Sequence, residues 1–183
     1  IKDSTISINI PIGNYEIESN EQGDEISVEN FGHLLIPGNP NLPSKIFSIA
    51  IPPGAEYVDV SFELSKSIIL EGKYKIPPVS LPRVIGEENP EVYQQEQITY
   101  EENYNSVYSS NDPYPTSPIE FVRTAGFRKY NLVDVRITPF TYYPLSGQLI
   151  FYPEIDIFIN YQTPKGYSIY DVMVDNNPDM DQR

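Results

Sequence analysis

The chain has 183 residues and a mass of 20.9 kDa, enough for one well-buried domain and short for two. A formal charge of −14 argues against a nucleic-acid partner and disfavours an anionic membrane surface, since both need a basic face, and no run of about 18 apolar residues is present to span a bilayer. With no cysteine, disulfides, thiolate metal sites and a cysteine nucleophile are excluded as well.

Eighteen prolines, spread along the chain, predict strand and loop rather than helix, while 15 Tyr and 8 Phe supply apolar area for a core. The sequence begins at Ile1 without a methionine or signal segment, which implies a piece trimmed from a larger protein.

In chain order, "STISINI" (4–10) sets Ile6, Ile8 and Ile10 on one face, the period of a half-buried strand. "YEIES" (15–19) and "DEISVENF" (24–31) read as a second and a third strand. "KIFSIAI" (45–51) and "EYVDVSFEL" (56–64) follow, joined by a "PPGA" turn in which Pro sets φ and Gly permits a positive one. Residues 75–118 carry seven prolines, many Tyr and acidic groups but little alternation. They read as a long irregular segment with at most short strands at "EVYQQ" and "QITY". No amphipathic helix of about ten residues is predicted anywhere.

Alternation returns in "NLVDVRITPF" and "QLIFYPEIDIFINY", with "YYPLSGQ" as a hairpin turn between them. Pro153 inside the second run predicts an edge position or a bulge. "SIYDVMV" predicts a last short strand before a polar, acidic end. The expected fold is all-β, an antiparallel β-sandwich over residues 1–165 with the Pro/Tyr-rich segment 75–118 as a long loop. Residues 166–183 are expected to form the terminal strand and an acidic tail.

Candidate chemistry is sparse. His33 is the only histidine, and neither a G-x-S-x-G elbow nor a cysteine accompanies it, so it reads as a loop or strand-end residue. The carboxylate pairs Glu87–Glu88, Glu101–Glu102 and Glu154–Asp156 would serve a glycosidase only across a cleft of defined width. Glu154 and Asp156 alternate with Ile155 and Ile157 and read as the wet face of a strand. In "DNNPDMD", Asp175, Asn177, Asp179 and Asp181 resemble the start of a calcium loop, but Met180 stands where that loop needs Gly. A solvated tail is the plainer reading. No cofactor and no resident metal are expected. The tyrosines leave open a β-sandwich adhesion or carbohydrate-binding module of a surface protein, although Trp is absent.

"GNPNLPSKIFSIAIPPGA" opens like a G-x-P-x-L-P motif followed by a strand and a turn. It is followed by "VDVSFE", by "IPPVSLPRVIGEENPEVY" with its E-N-P, and by the closing hairpin of residues 114–161. In this order the pieces, over residues 38–161, resemble the N-terminal propeptide domain of gingipain-type cysteine peptidases. The resemblance implies a secreted or cell-surface, non-catalytic module that covers the active-site cleft of a downstream gingipain-like cysteine peptidase, the catalytic domain of its own precursor, and assists its folding. It also implies an inhibitory loop at "VSLPRVIGEENP", with Leu81, Pro82, Arg83, Val84 and Gly86 at its centre and Arg83 as its only basic side chain. Counted back from Glu88-Asn89-Pro90, the family's basic position falls near Gly86, so the loop departs from the pattern there. Arg183 is the implied processing site; a chain end of any other origin looks the same in sequence.

Overall fold

In the computed structural model, the described residues are 2–82, 90–127 and 130–163. They form β1 (Lys2–Pro11), β2 (Tyr15–Asn20), β3 (Gly23–Val28), β4 (Gly32–His33), β5 (Pro43–Ile51), β6 (Glu56–Glu63), β7 (Ile68–Ile69), α1 (Pro90–Tyr108), β8 (Ile119–Phe127), β9 (Tyr130–Ile137), β10 (Phe140–Tyr143), β11 (Gln148–Phe151) and β12 (Glu154–Thr163). Among the described residues the fold is all-β apart from one helix.

Two sheets carry the main core. One runs β1-β12-β6 and the other β4-β5-β9-β8, with every named pairing in them antiparallel. The alternation explains why they pack. Ile155, Ile157 and Ile159 of β12 and Val133, Val135 and Ile137 of β9 are fully buried, and they meet Ile10, Ile49 and Ile51 between the sheets. Ile157 lies opposite both Ile8 and Phe62, so the middle strand is clamped by apolar side chains from each neighbour. At the β6 and β8 edges the sandwich is shut by Tyr57 and Phe121, whose rings stack 4.5 Å apart and 6° from parallel.

A second core lies beside the first. Ile26 and Val28 of the β2–β3 hairpin, Phe140, Tyr142, Leu149 and Phe151 of the β10-β11-β7 sheet, and Leu42 and Ile76 from extended loops form it. Tyr15, Phe140 and Phe151 make an aromatic trio, with the Tyr15 ring 5.4 Å from Phe140 and 4.6 Å from Phe151.

The strands predicted over residues 4–64 are present with small changes at their ends, and Ala55 N–H closes the "PPGA" turn on the Pro52 carbonyl at 3.0 Å, with Gly54 at φ 71°. Two expectations are corrected. Pro153 is neither on a sheet edge nor in a bulge: it separates β11 from β12, and β12 is the central strand of its sheet. Its carbonyl accepts from Ile12 N–H at 2.9 Å, so the residue that cannot donate sits at the corner where the chain leaves one sheet for another. The second correction concerns the middle segment, where residues 90–108 form a 19-residue helix instead of irregular chain or short strands. Asn-Pro-Glu, with Pro at the first helical position, is the start signal for it.

Candidate functional site

The opening "GNPNLP" motif, the proline-rich segment 74–82 and α1 come together in one place. Prolines prevent segment 74–82 from becoming a regular strand, yet its remaining backbone groups find partners one by one. Tyr74 N–H donates to the Gly147 carbonyl at 2.8 Å, and Lys75 N–H donates to the Asp24 carboxylate at 2.6 Å. Asn41 N–H donates to the Pro77 carbonyl at 3.0 Å; Val79 N–H reaches the Asn39 carbonyl at 2.8 Å and Gly38 N–H the Val79 carbonyl at 2.9 Å. The segment is therefore an extended strap laced to residues 38–41, with Ile76 sunk into the second core and Pro40 fully buried.

Helix α1 lies over this lacing. Gly38, at φ 88°, approaches the helix backbone so closely that a Cβ there would collide with the Tyr100 carbonyl and come within 2.9 Å of Asn103 Cβ. Only glycine satisfies both the backbone angle and the space. Asn103 Nδ2 donates to the Pro37 carbonyl at 2.9 Å, and Tyr108 Oη donates to the Ile76 carbonyl at 2.8 Å. Tyr100, Tyr104 and Tyr108 repeat every four residues and stack along one face, with centroids 6.3 Å and then 4.7 Å apart.

Burial pushes the Tyr108 phenol far above its ordinary range, and Tyr114 and Tyr142 move upward for the same leading reason. These groups stay neutral and serve as fixed hydrogen-bond pins.

Leu81 and Pro82 emerge from the end of the strap into a groove of about 400 Å³ that they share with Ile36, Pro37, Val92 and Thr99. The chain thus leaves at Pro82 and returns at Pro90 on the same face. Arg83, Val84 and Gly86 lie outside the described residues, as do Arg183, Asp175, Asn177, Asp179, Asp181, Glu87, Glu88 and the "SIYDVMV" segment. Leu81 and Pro82 are the two proposed loop residues whose surroundings are described.

The other candidates are dispersed. His33 ends the short strand β4, with a buried Nδ1 that has no partner among the described residues. Glu101 and Glu102 are exposed neighbours on α1. Glu154 and Asp156 face solvent and share the Asn9 amide, at 2.7 Å each. Among the described residues no group of three or more potential ligands could hold a metal ion, and no helix is long and apolar enough to cross a membrane. Sequence reasoning missed α1, Gly38 and Tyr108, although the Asn-Pro-Glu start and the four-residue tyrosine spacing were available to find the helix.

Comparison with family models matches Propeptide_C25 over residues 11–171. Among solved structures, the chain is similar to one in a complex of Porphyromonas gingivalis RgpB pro- and mature domains, at 19% identity and a TM-score of 0.59, covering 93% of this chain and 90% of that one. It is also similar to a structure described as giving insight into the zymogenic latency of gingipain K from Porphyromonas gingivalis, at 18% identity and a TM-score of 0.58, covering 88% and 92% respectively. At these identities the likeness establishes the shared fold. No curated protein matches the chain.

Proposed function

Since this chain belongs to the Propeptide_C25 family and is the non-catalytic pro-domain of a gingipain-type cysteine peptidase, we propose that it keeps its peptidase latent by covering the active-site cleft, and assists folding of that catalytic domain. The carrying observation is the double anchorage of the loop between Pro82 and Pro90: a strap hydrogen-bonded residue by residue on one side and a clamped helix on the other. A loop held at both ends loses less entropy on docking than a free one, so more of its contact energy appears as affinity.

In this reading Arg83 enters an acidic specificity pocket, where a guanidinium can make paired hydrogen bonds to a carboxylate. Leu81, Pro82, Val84 and Gly86 shape the loop around it. Processing follows Arg183, after which the module leaves a secreted or cell-surface enzyme. The module itself is taken as residues 1–165, with 166–183 as its exit.

The test is titration of the purified chain against the catalytic domain of its own precursor. Inhibition is expected, and Arg83→Ala should raise the inhibition constant at least tenfold, a loss of about 1.4 kcal/mol. Full peptidase activity at saturating chain would overturn the blockade. An unchanged constant for Arg83→Ala would remove Arg83 as the anchor and leave the blockade standing.

A further inference from the structure

Three apolar side chains stand where the fold itself does not use them. Among the described residues, Ile36, Leu81 and Val92 belong to neither of the two cores, and Val92 is 53% exposed on α1. All three line the groove of about 400 Å³, with Ile36, Pro37, Leu81 and Pro82 along one wall and α1 along the other. An apolar trough left open at the surface, unlike single scattered residues, marks a place of association.

The helix wall is a single stripe. Val92, Gln95, Glu96, Thr99 and Asn103 follow the i, i+3, i+4, i+7, i+11 spacing that keeps residues on one face. From Val92 to Asn103 the stripe runs about 16 Å, at 1.5 Å per residue. At Asn103 it is tied down, by the 2.9 Å bond to the Pro37 carbonyl and by the close seat on Gly38. Toward Val92 the groove meets the base of the candidate blocking loop. Leu81 and Pro82 lead into that loop, and Val92 follows soon after it returns at Pro90. A body that takes in the loop therefore sits against this groove as well.

We infer that this groove receives an apolar side chain from the rim of the peptidase's active-site cleft, with a basic side chain beside it. The assignment rests on the proposed blockade, since its occupant is the catalytic domain that the loop enters. The charge follows from α1, which carries Glu91, Glu96, Glu101 and Glu102 and no Lys or Arg, with Glu96 at the groove itself. An apolar floor with an acidic rim is matched by an apolar anchor that has a cation at its edge. Both walls are fixed before docking, the strap by its backbone bonds and α1 by Asn103 and Tyr108. A preformed seat of this kind costs little ordering, so a side chain placed in it contributes strongly to affinity.

Binding and inhibition, measured side by side with the catalytic domain of the chain's own precursor, test the assignment. Val92→Asp puts a charge into the groove, and Gln95→Trp fills it with the chain's own ring. Both positions are exposed, so the unfolding midpoints should hold. Each variant should bind at least about tenfold more weakly, while Ile98→Asp, on α1 but outside the groove, should change binding by less than about threefold. Glu96→Lys should slow association at low salt, and an unchanged rate would remove the basic neighbour. If Val92→Asp fails to fold, Gln95→Trp is read alone. Undiminished binding by the groove variants of a chain that inhibits overturns the assignment and leaves the blockade standing. An equal loss for Ile98→Asp overturns it too, by making the helix as a whole the contact. A native chain that binds without inhibiting, and loses affinity in the groove variants, keeps the groove and removes the blockade. Absence of any binding removes both.

Discussion

The hydroxyl of Tyr108, at the last residue of α1, donates to the carbonyl of Ile76 in the middle of the proline-rich strap, at 2.8 Å. Thirty-two residues separate the two in sequence, and the segment between them contains the whole candidate blocking loop. This bond closes that loop at its base.

Tyr108→Phe keeps the ring and deletes the pin, leaving a buried carbonyl short of a partner. The expected cost is about 1–3 kcal/mol in urea unfolding, together with faster amide exchange in α1. Unchanged exchange in the helix would show that Tyr104 stacking and Asn103 hold it without the phenol.

Gly38→Ala places a Cβ against the Tyr100 carbonyl at a φ of 88°. It should destabilise by about 1–3 kcal/mol, with exchange again loosened in α1. Gly32→Ala is the control, since nothing lies within 4 Å of its Cβ position, and its unfolding midpoint should move little. Equal midpoints for the two variants would contradict the close approach.

Ile157 is fully buried between Ile8 and Phe62. Ile157→Ala should cost about 2–5 kcal/mol, read as a drop in the thermal midpoint, because the two clamping strands cannot collapse onto the void. A cost below that range would mean that β1 and β6 close in freely.

Asp134 accepts hydrogen bonds from the Ser48 hydroxyl at 2.5 Å and from Arg123 Nε at 2.9 Å, and these hold its carboxyl below the usual aspartate range. A carboxylate whose folded value is depressed stabilises above its unfolded value of about 3.9, and the contribution fades as pH falls through the lower folded value. The stability gap between the native chain and Asp134→Asn should thus be full near neutrality and shrink as pH drops below that range. A gap independent of pH in urea titrations would mean that the carboxylate's charge is not what the site uses.

Reading the strands from sequence worked where an apolar residue recurred at every second position, as in β1, β9 and β12, because a sheet with one buried face imposes that period on its residues. It failed at α1 for a related reason. That helix packs chiefly through Asn103, Tyr100 and Tyr108, while Val92 and Ile98 remain about half exposed, so no apolar stripe announces it. Proline abundance argued against helix, yet Pro90 stands at the one helical position where a missing N–H costs nothing.

The amino-acid order by itself determined the all-β class, the turns and the family resemblance. What only the tertiary structure decided was adjacency: that β12 lies between β1 and β6, that Pro153 turns a corner, and that Gly38 is the seat of a helix more than fifty residues away. Periodicity reports which face of an element is dry. It carries no record of which distant element dries it, because that depends on contacts formed across the whole chain.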